Sequence, residues 1–308
     1  MSSPDAPRPR LSVTLVGLHK KFGPDPRVLV EVARMADGAG VDQIALSDHV
    51  VMGRHTELYP YGRFPFPPED PWPEPLTVLA AMAAVTSRIR LATGVLIAPL
   101  RPAALLAKSV ATLDALSGGR VDLGVGIGWQ EEEYGASGVP FSRRWSRLED
   151  TLRACRALWR DVPATFHSET VNFDDIYCTP LPAQSRIPIW FGAKATEAVA
   201  RRIVELGDGW APLATAAPDV IRDGLKVIRA ACAEAGRDPA EIGVRCGLAL
   251  SRDAAGKVDW PRVMADVAPL VGEGVTVLAL LLGPGLDTLA DAKAYLEDAA
   301  AAFRRALG

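Results

Sequence analysis

Long apolar runs are missing from this 308-residue chain. No stretch approaches the roughly 20 consecutive apolar residues that a membrane-spanning helix needs, so no membrane association is expected. Cysteine is scarce: Cys155, Cys178, Cys232 and Cys246 form no C-x-x-C or other metal-ligand spacing. That argues against a metal site or a disulfide framework, and for small buried hydrophobes in a reducing compartment. A charge excess is lacking too. The net charge of -3 and isoelectric point near 5.9 leave no electrostatic footprint for nucleic acid. Lysine is rare, 7 against 27 arginines, which reflects GC-rich codons rather than a basic patch. An export signal is also wanting. The apolar run 11–18 is short for one, and Lys20-Lys21 follow where small residues should precede a cleavage site. These absences leave a cytoplasmic globular protein that handles a small molecule.

What is present is a core and an alternation. Hydrophobic residues make up 49% and charged residues 23% of the chain, enough to bury a large core. Residues 91–133 spell a run that is apolar on both faces, a helical repeat with Pro102 in its first turn, the closing Ser117-Gly118-Gly119-Arg120, and a second apolar run ending in Gly126-Ile127-Gly128. Strands buried on both faces belong to parallel sheets under helices, and proline in the first helical turn gives up no hydrogen bond. The same pattern predicts strands at 11–16, 43–46, 89–97, 121–125, 187–191, 209–211, 242–250 and 275–281. Helices are predicted at 26–39, 75–86, 102–116, 143–159, 196–206, 218–235, 260–272 and 286–307. Eight strands each followed by a helix predict one domain, 1–308, folded as a (β/α)8 TIM barrel with insertions in the βα loops. A doubly wound sheet would need a middle boundary or surplus strands, and neither is found.

In such a barrel the chemistry sits where chains leave the strand C-termini, which singles out residues 50–72 and 127–142. The first is dense in proline and aromatics (YPYGRFPFPPEDPW); a long loop of this kind is usually functional or disordered. A second insertion, 165–178, has the alternation of a hairpin. It follows a helix, which by the same rule puts it on the opposite face.

Several residues at strand exits have the right chemistry. His49, in Ser47-Asp48-His49, is of the residue type whose unperturbed side chain suits proton transfer, or it satisfies a strand-end hydrogen bond. Thr93-Gly94-Val95 puts a glycine inside a strand, where a bulge, a ligand or a large neighbour explains it. Gly126 and Gly128 lack the third glycine and the acidic partner of a dinucleotide fingerprint, and Trp129 beside them could wall a flat ligand. Glu131-Glu132-Glu133 reads chiefly as a helix start, where negative charge is favoured. Gly192-Ala193-Lys194 opens a helix after the fifth strand and would cradle a phosphate. His19 and His55 are secondary candidates, and His167 falls in the hairpin.

Taken together, SDH at 47–49, LATGVLIAPLRPAALLAK at 91–108, LDALSGGRVDLGVGIGW at 113–129, and PIWFGAKATEAVARR through DGWAP at 188–212 resemble the luciferase-like flavin and deazaflavin oxidoreductases. The resemblance is strongest to the branch that depends on coenzyme F420. It implies a (β/α)8 barrel, usually dimeric, with an isoalloxazine-type ring at the barrel mouth. By resemblance, Asp48 and His49 line the ring with His49 as proton relay, Gly94–Val95 is a cis peptide against the ring face, and Thr93 touches the ring edge. Gly192, Ala193 and Lys194 match the phosphate turn, though many members have Gly-Gly where this chain has Gly192-Ala193. Members that oxidise sugar phosphates carry Glu directly after the G-x-G turn; Trp129 stands there instead, which argues against that activity. The implied cofactor is F420, with FMN and O₂ chemistry as the alternative. A barrel that had lost its cofactor would be expected to lack Asp48-His49 and the phosphate turn, and both are present.

Overall fold

The computed structural model describes residues 8–213, 218–282 and 286–308. In chain order the elements are β1 (Arg10–Leu15), α1 (His19–Phe22), α2 (Arg27–Ala39), β2 (Gln43–Leu46), α3 (Pro75–Val85), β3 (Arg90–Thr93), β4 (Leu96–Ile97), α4 (Ala103–Ser117) and β5 (Val121–Gly126). Then come α5 (Glu131–Ala136), α6 (Arg144–Arg160), β6 (Ala164–His167), β7 (Asn172–Ile176), β8 (Ile189–Phe191), α7 (Glu197–Leu206), β9 (Gly209–Trp210), α8 (Pro218–Ala235), β10 (Gly243–Gly247), α9 (Trp260–Met264), α10 (Val267–Gly272), β11 (Val277–Leu282) and α11 (Leu289–Leu307).

Parallel pairing runs β3-β2-β1-β11-β10-β9-β8-β5-β4, and the β3–β5 pairing closes the ring. The seam between the first and last strands is six residues long, from Arg10 opposite Val277 to Leu15 opposite Leu282. With β3 and β4 counted as one broken strand, this is the (β/α)8 barrel the alternation predicts. Along β1, Leu11, Val13 and Leu15 join the apolar layer under the helices, while Thr14 faces the barrel interior, as a period of two requires. Among the described residues no helix is long and apolar enough to cross a membrane.

Two predicted elements are broken, each by a local cause. The third strand stops at a cis Gly94–Val95 peptide and resumes as β4. The helix expected over 260–272 splits because Pro269 has no N–H for the Ala265 carbonyl, and its ring crowds that turn; α10 restarts from Asp266. The motif 117–120 is explained by its end: Gly118 caps α4 in the left-handed region, and the Arg120 guanidinium collects the carbonyls of Ala83, Thr86 and Ile89. That joins the end of α3 to the foot of β5. The hairpin forms as expected from β6 and β7, but it does not stay at the lower face. Its turn folds back along α6, where Thr170 binds Asp150 and Glu169 reaches Arg143 ahead of the helix.

The glycines of β5, and Gly192 just after β8, have a packing reason. A Cβ on Gly124 would lie 2.0 Å from the Thr93 carbonyl oxygen, and those on Gly126 and Gly192 would lie 2.8 and 2.6 Å from the Val95 methyls. Gly124→Ala is therefore expected to destabilise the fold by at least the upper end of the ~1–3 kcal/mol usual for overpacking, because the obstacle is main chain. Chemical denaturation of the variant against the parent protein measures this, and an unchanged midpoint would refute it.

Candidate functional site

At the C-terminal ends of the strands the barrel opens into a cavity of about 1320 Å³. This exceeds the ~300–1,000 Å³ typical of a single-ligand pocket, so it has room for two molecules side by side. Part of its lining is made of small strand residues. Ala92, Gly124, Gly126 and Gly192 line it, and the Val95 side chain enters from the break in the third strand.

His49 leaves β2 into this cavity, and its Nδ1 lies 3.2 Å from Oε2 of Glu133. The other carboxylate oxygen of Glu133 accepts the Val50 N–H at 2.6 Å, and the Glu133 side chain is fully buried. A buried carboxylate on Nδ1 selects the tautomer with hydrogen there. Nε2 is then the nitrogen left for proton exchange, with no acceptor or donor from the described residues engaged on it. Rings enclose the imidazole: Trp72 at 4.8 Å, Phe64 at 5.8 Å and Trp129 at 6.1 Å between centroids, all edge-on.

The loop 50–72 is pinned rather than free. Gly53 exchanges two hydrogen bonds with the Gln130 side chain, and Asp70 lies within 3.1 Å of His19 and 3.0 Å of Lys20. Tyr59, Phe64, Phe66 and Trp72 thereby form a fixed wall. Burial raises the Tyr59 phenol above its ordinary pKa, so it remains a donor at neutral pH.

Other expected positions fall differently. The Asp48 carboxylate has no exposed surface; it takes two hydrogen bonds from Arg101, at 2.7 and 3.1 Å, and one from the Ile97 N–H at 2.8 Å. Only its main chain can reach the cavity, so its side chain sets the course of β4 instead of lining a ring. Burial works against the Arg101 charge, but the Asp48 and Glu74 carboxylates outweigh it and raise the Arg101 pKa. Thr93 lines the cavity, yet its hydroxyl donates to the Gly124 carbonyl at 2.6 Å. The Gly94–Val95 peptide is cis, as the resemblance implies. Gly128 has φ of +63°, and its Cβ position is 3.0 Å from Ile97, so both glycines of the turn accommodate protein neighbours.

After β8, Ala193 keeps an ordinary negative φ, and its carbonyl accepts from Trp210 Nε1. The N–H groups of Ala193, Lys194 and Ala195 donate to no acceptor among the described residues. They lie just ahead of α7, which Thr196 caps, and Lys194 is exposed beside them. His55 is paired with Glu57 and His167 with Asp174, both at the surface.

Glu133 is more than helix-start charge. The acidic run does start α5, but the third glutamate turns inward next to buried Tyr134 while Glu131 stays outside. The only signal was that adjacency of an acid and an apolar ring on one helix face.

A closed parallel barrel with its cavity at the strand C-termini is the architecture in which barrel enzymes keep their active sites. Residues 9–257 match the model of the luciferase-like monooxygenase family, and the chain belongs to that family. It is 44% identical over 170 residues to an uncharacterised protein of Mycobacterium tuberculosis, covering 55% of this chain and 58% of that one. It is 32% identical over 191 residues to an F420-dependent glucose-6-phosphate dehydrogenase of Gordonia bronchialis, covering 60% of this chain and 52% of the relative. The match thus spans little more than half the length of these curated relatives. A solved monooxygenase from Streptomyces bottropensis superposes over 97% of this chain and 100% of its own, with a TM-score of 0.78 at 20% identity.

Proposed function

We propose that the protein is an F420-dependent oxidoreductase acting on a small organic substrate with an activated C=C, C=O or C=N bond. The observation that carries this reading is the His49–Glu133 pair inside an aromatic-walled cavity large enough for a cofactor ring and a substrate together. The F420-dependent relative from Gordonia bronchialis supports the cofactor. Trp129 in place of a carboxylate after the glycine turn separates this chain from sugar-phosphate oxidation.

The residues present fit such a cofactor. Three unclaimed N–H groups, the α7 N-terminus and Lys194 make an anion cradle suited to a phosphate. Val95 offers an apolar surface to a flat ring, and Gly126, Gly128 and Trp129 shape the wall beside it. When bound, F420 supplies a carbon-centred two-electron hydride carrier. The chain's part is orientation and proton handling. Glu133 holds the imidazole so that Nε2 faces the cavity, and His49 holds or delivers the proton that balances charge on the substrate. The rings of Phe64, Trp72 and Trp129 give the imidazole a largely apolar setting.

A paired titration of the purified protein with F420 and with FMN, followed by fluorescence, tests the proposal. Micromolar or tighter F420 binding with much weaker FMN binding is expected. Preference for FMN would overturn it in favour of oxygen-dependent chemistry with a partner reductase.

A further inference from the structure

The lower half of the cavity carries a group that proton handling by His49 does not use. Arg245 extends from β10 into the barrel interior and lines the cavity together with Thr14, Gln43 and Asp122. Two other guanidiniums in this layer have a carboxylate: Arg10 and Arg90 bind Asp122 at 3.0 and 2.8 Å. Arg245 has none within ion-pair distance among the described residues. Its partners are neutral, the Thr14 hydroxyl at 2.6 Å and the Gln43 amide oxygen at 3.4 Å. A guanidinium has five N–H donors, so most of its donating capacity is unspent.

The cavity reaches this side of the barrel, where Thr14, Val277, Leu281 and Arg245 all line it. Val95 packs on the opposite side, against Gly124, Gly126 and Gly192. Trp190 Nε1, a buried donor with no acceptor among the described residues, belongs to the wall of the same cavity. Burial lowers the Arg245 pKa to about 10, against the attraction of Asp122, which leaves it charged at neutral pH. A charge enclosed by low-dielectric walls with only neutral partners is costly, and an anion arriving from the cavity mouth removes that cost. Asp122 cannot serve, being already shared between two arginines and Gln43.

We propose that Arg245 is the anchor of an oxyanion-binding subsite on the cavity floor, taking a carboxylate or a similarly delocalised oxyanion on a planar group. The inference depends on the cavity being the ligand site of the proposed function, but not on the identity of the cofactor. The oxyanion belongs either to the substrate's far end or to the oxygenated edge of the cofactor ring.

Benzoate and its neutral isostere benzamide separate these possibilities, read by calorimetry and thermal shift on the cofactor-free protein, beside a separate F420 titration. For a substrate oxyanion, benzoate binds and stabilises the protein while benzamide does not. Arg245→Met then weakens benzoate roughly 10- to 100-fold, as expected for a charged hydrogen-bonding partner, and leaves F420 affinity unchanged. For a cofactor oxyanion, Arg245→Met weakens F420 by a similar factor whatever benzoate does. Arg245→Lys retains part of either effect, and Thr14→Val, which only loosens the guanidinium, gives a smaller loss; these two decide the matter if Arg245→Met does not fold. Unchanged affinity for both probes in the variants overturns the proposal, as does equal binding of benzoate and benzamide together with unchanged F420 affinity in Arg245→Met. Failure of F420 to bind the parent protein would refute the proposed cofactor and leave the benzoate comparison standing.

Discussion

His49→Ala is expected to lower the rate of the proton-coupled step by about 10²–10⁴, the usual contribution of a positioned general acid or base, with cofactor affinity almost unchanged. The reason is the position of the imidazole: it is tethered from behind by Glu133 and enclosed by three aromatic rings. Glu133→Gln tests the tether. The amide still spans from Nδ1 to the Val50 N–H, but it no longer enforces one tautomer, and a loss of about 10- to 100-fold is expected by analogy with partners that orient histidine ligands. The double variant should be little worse than His49→Ala alone, because groups acting as a unit are non-additive. Single-turnover rates with cofactor binding measured separately decide between roles. If His49→Ala loses cofactor binding as severely as rate, the residue is structural.

The second large effect concerns stability. Asp122→Asn is expected to cost about 3–5 kcal/mol, the range for removing one partner of a buried ion pair. Asp122 is 2% exposed and holds Arg10, Arg90 and Gln43 together across the barrel interior. Burial alone would raise its pKa, but the hydrogen bond and charge of Arg90, the charge of Arg10 and the Gln43 amide outweigh this and lower it. A carboxyl whose pKa is lower in the folded state stabilises the fold fully above its unfolded pKa of about 3.9. That stability is lost as pH falls toward the folded value. Thermal melting from pH 6 down to pH 3 should therefore fall steeply for the parent protein and more shallowly for Asp122→Asn, which starts lower. Parallel curves would show that Asp122 contributes nothing through its charge.

The order of elements was readable in the sequence because strand and helix periodicity are local. Residues 43–46 and 218–235 match their elements to the residue, and most other boundaries shift by one or two. The errors come from causes that periodicity does not register. Pro269 acts on a carbonyl four residues earlier, and the break between β3 and β4 lies in a stretch whose apolar pattern is unbroken. The return of the hairpin along α6 depends on Thr170 meeting Asp150 and Glu169 meeting Arg143.

The site divides in the same way. His49, Val95, Trp129 and the turn at 192–194 could be named in advance, since the barrel rule assigns chemistry to strand exits and these residues stand there. Asp48 stands there too, yet Arg101 takes its carboxylate from 53 positions away. Gly126 reads as a place for a ligand; it lines the cavity, and it also leaves space for Val95. Glu133 reads as helix charge and is instead the partner of His49, 84 positions earlier.

The sequence by itself determined the barrel, the end of it that holds the site and the family to which the chain belongs, because these follow from short-range pattern and from motifs in fixed order. Tertiary structure decided which charges meet and which face the cavity alone. The low-dielectric interior makes each of those pairings energetically large, and which side chains converge there depends on closing the ring of strands.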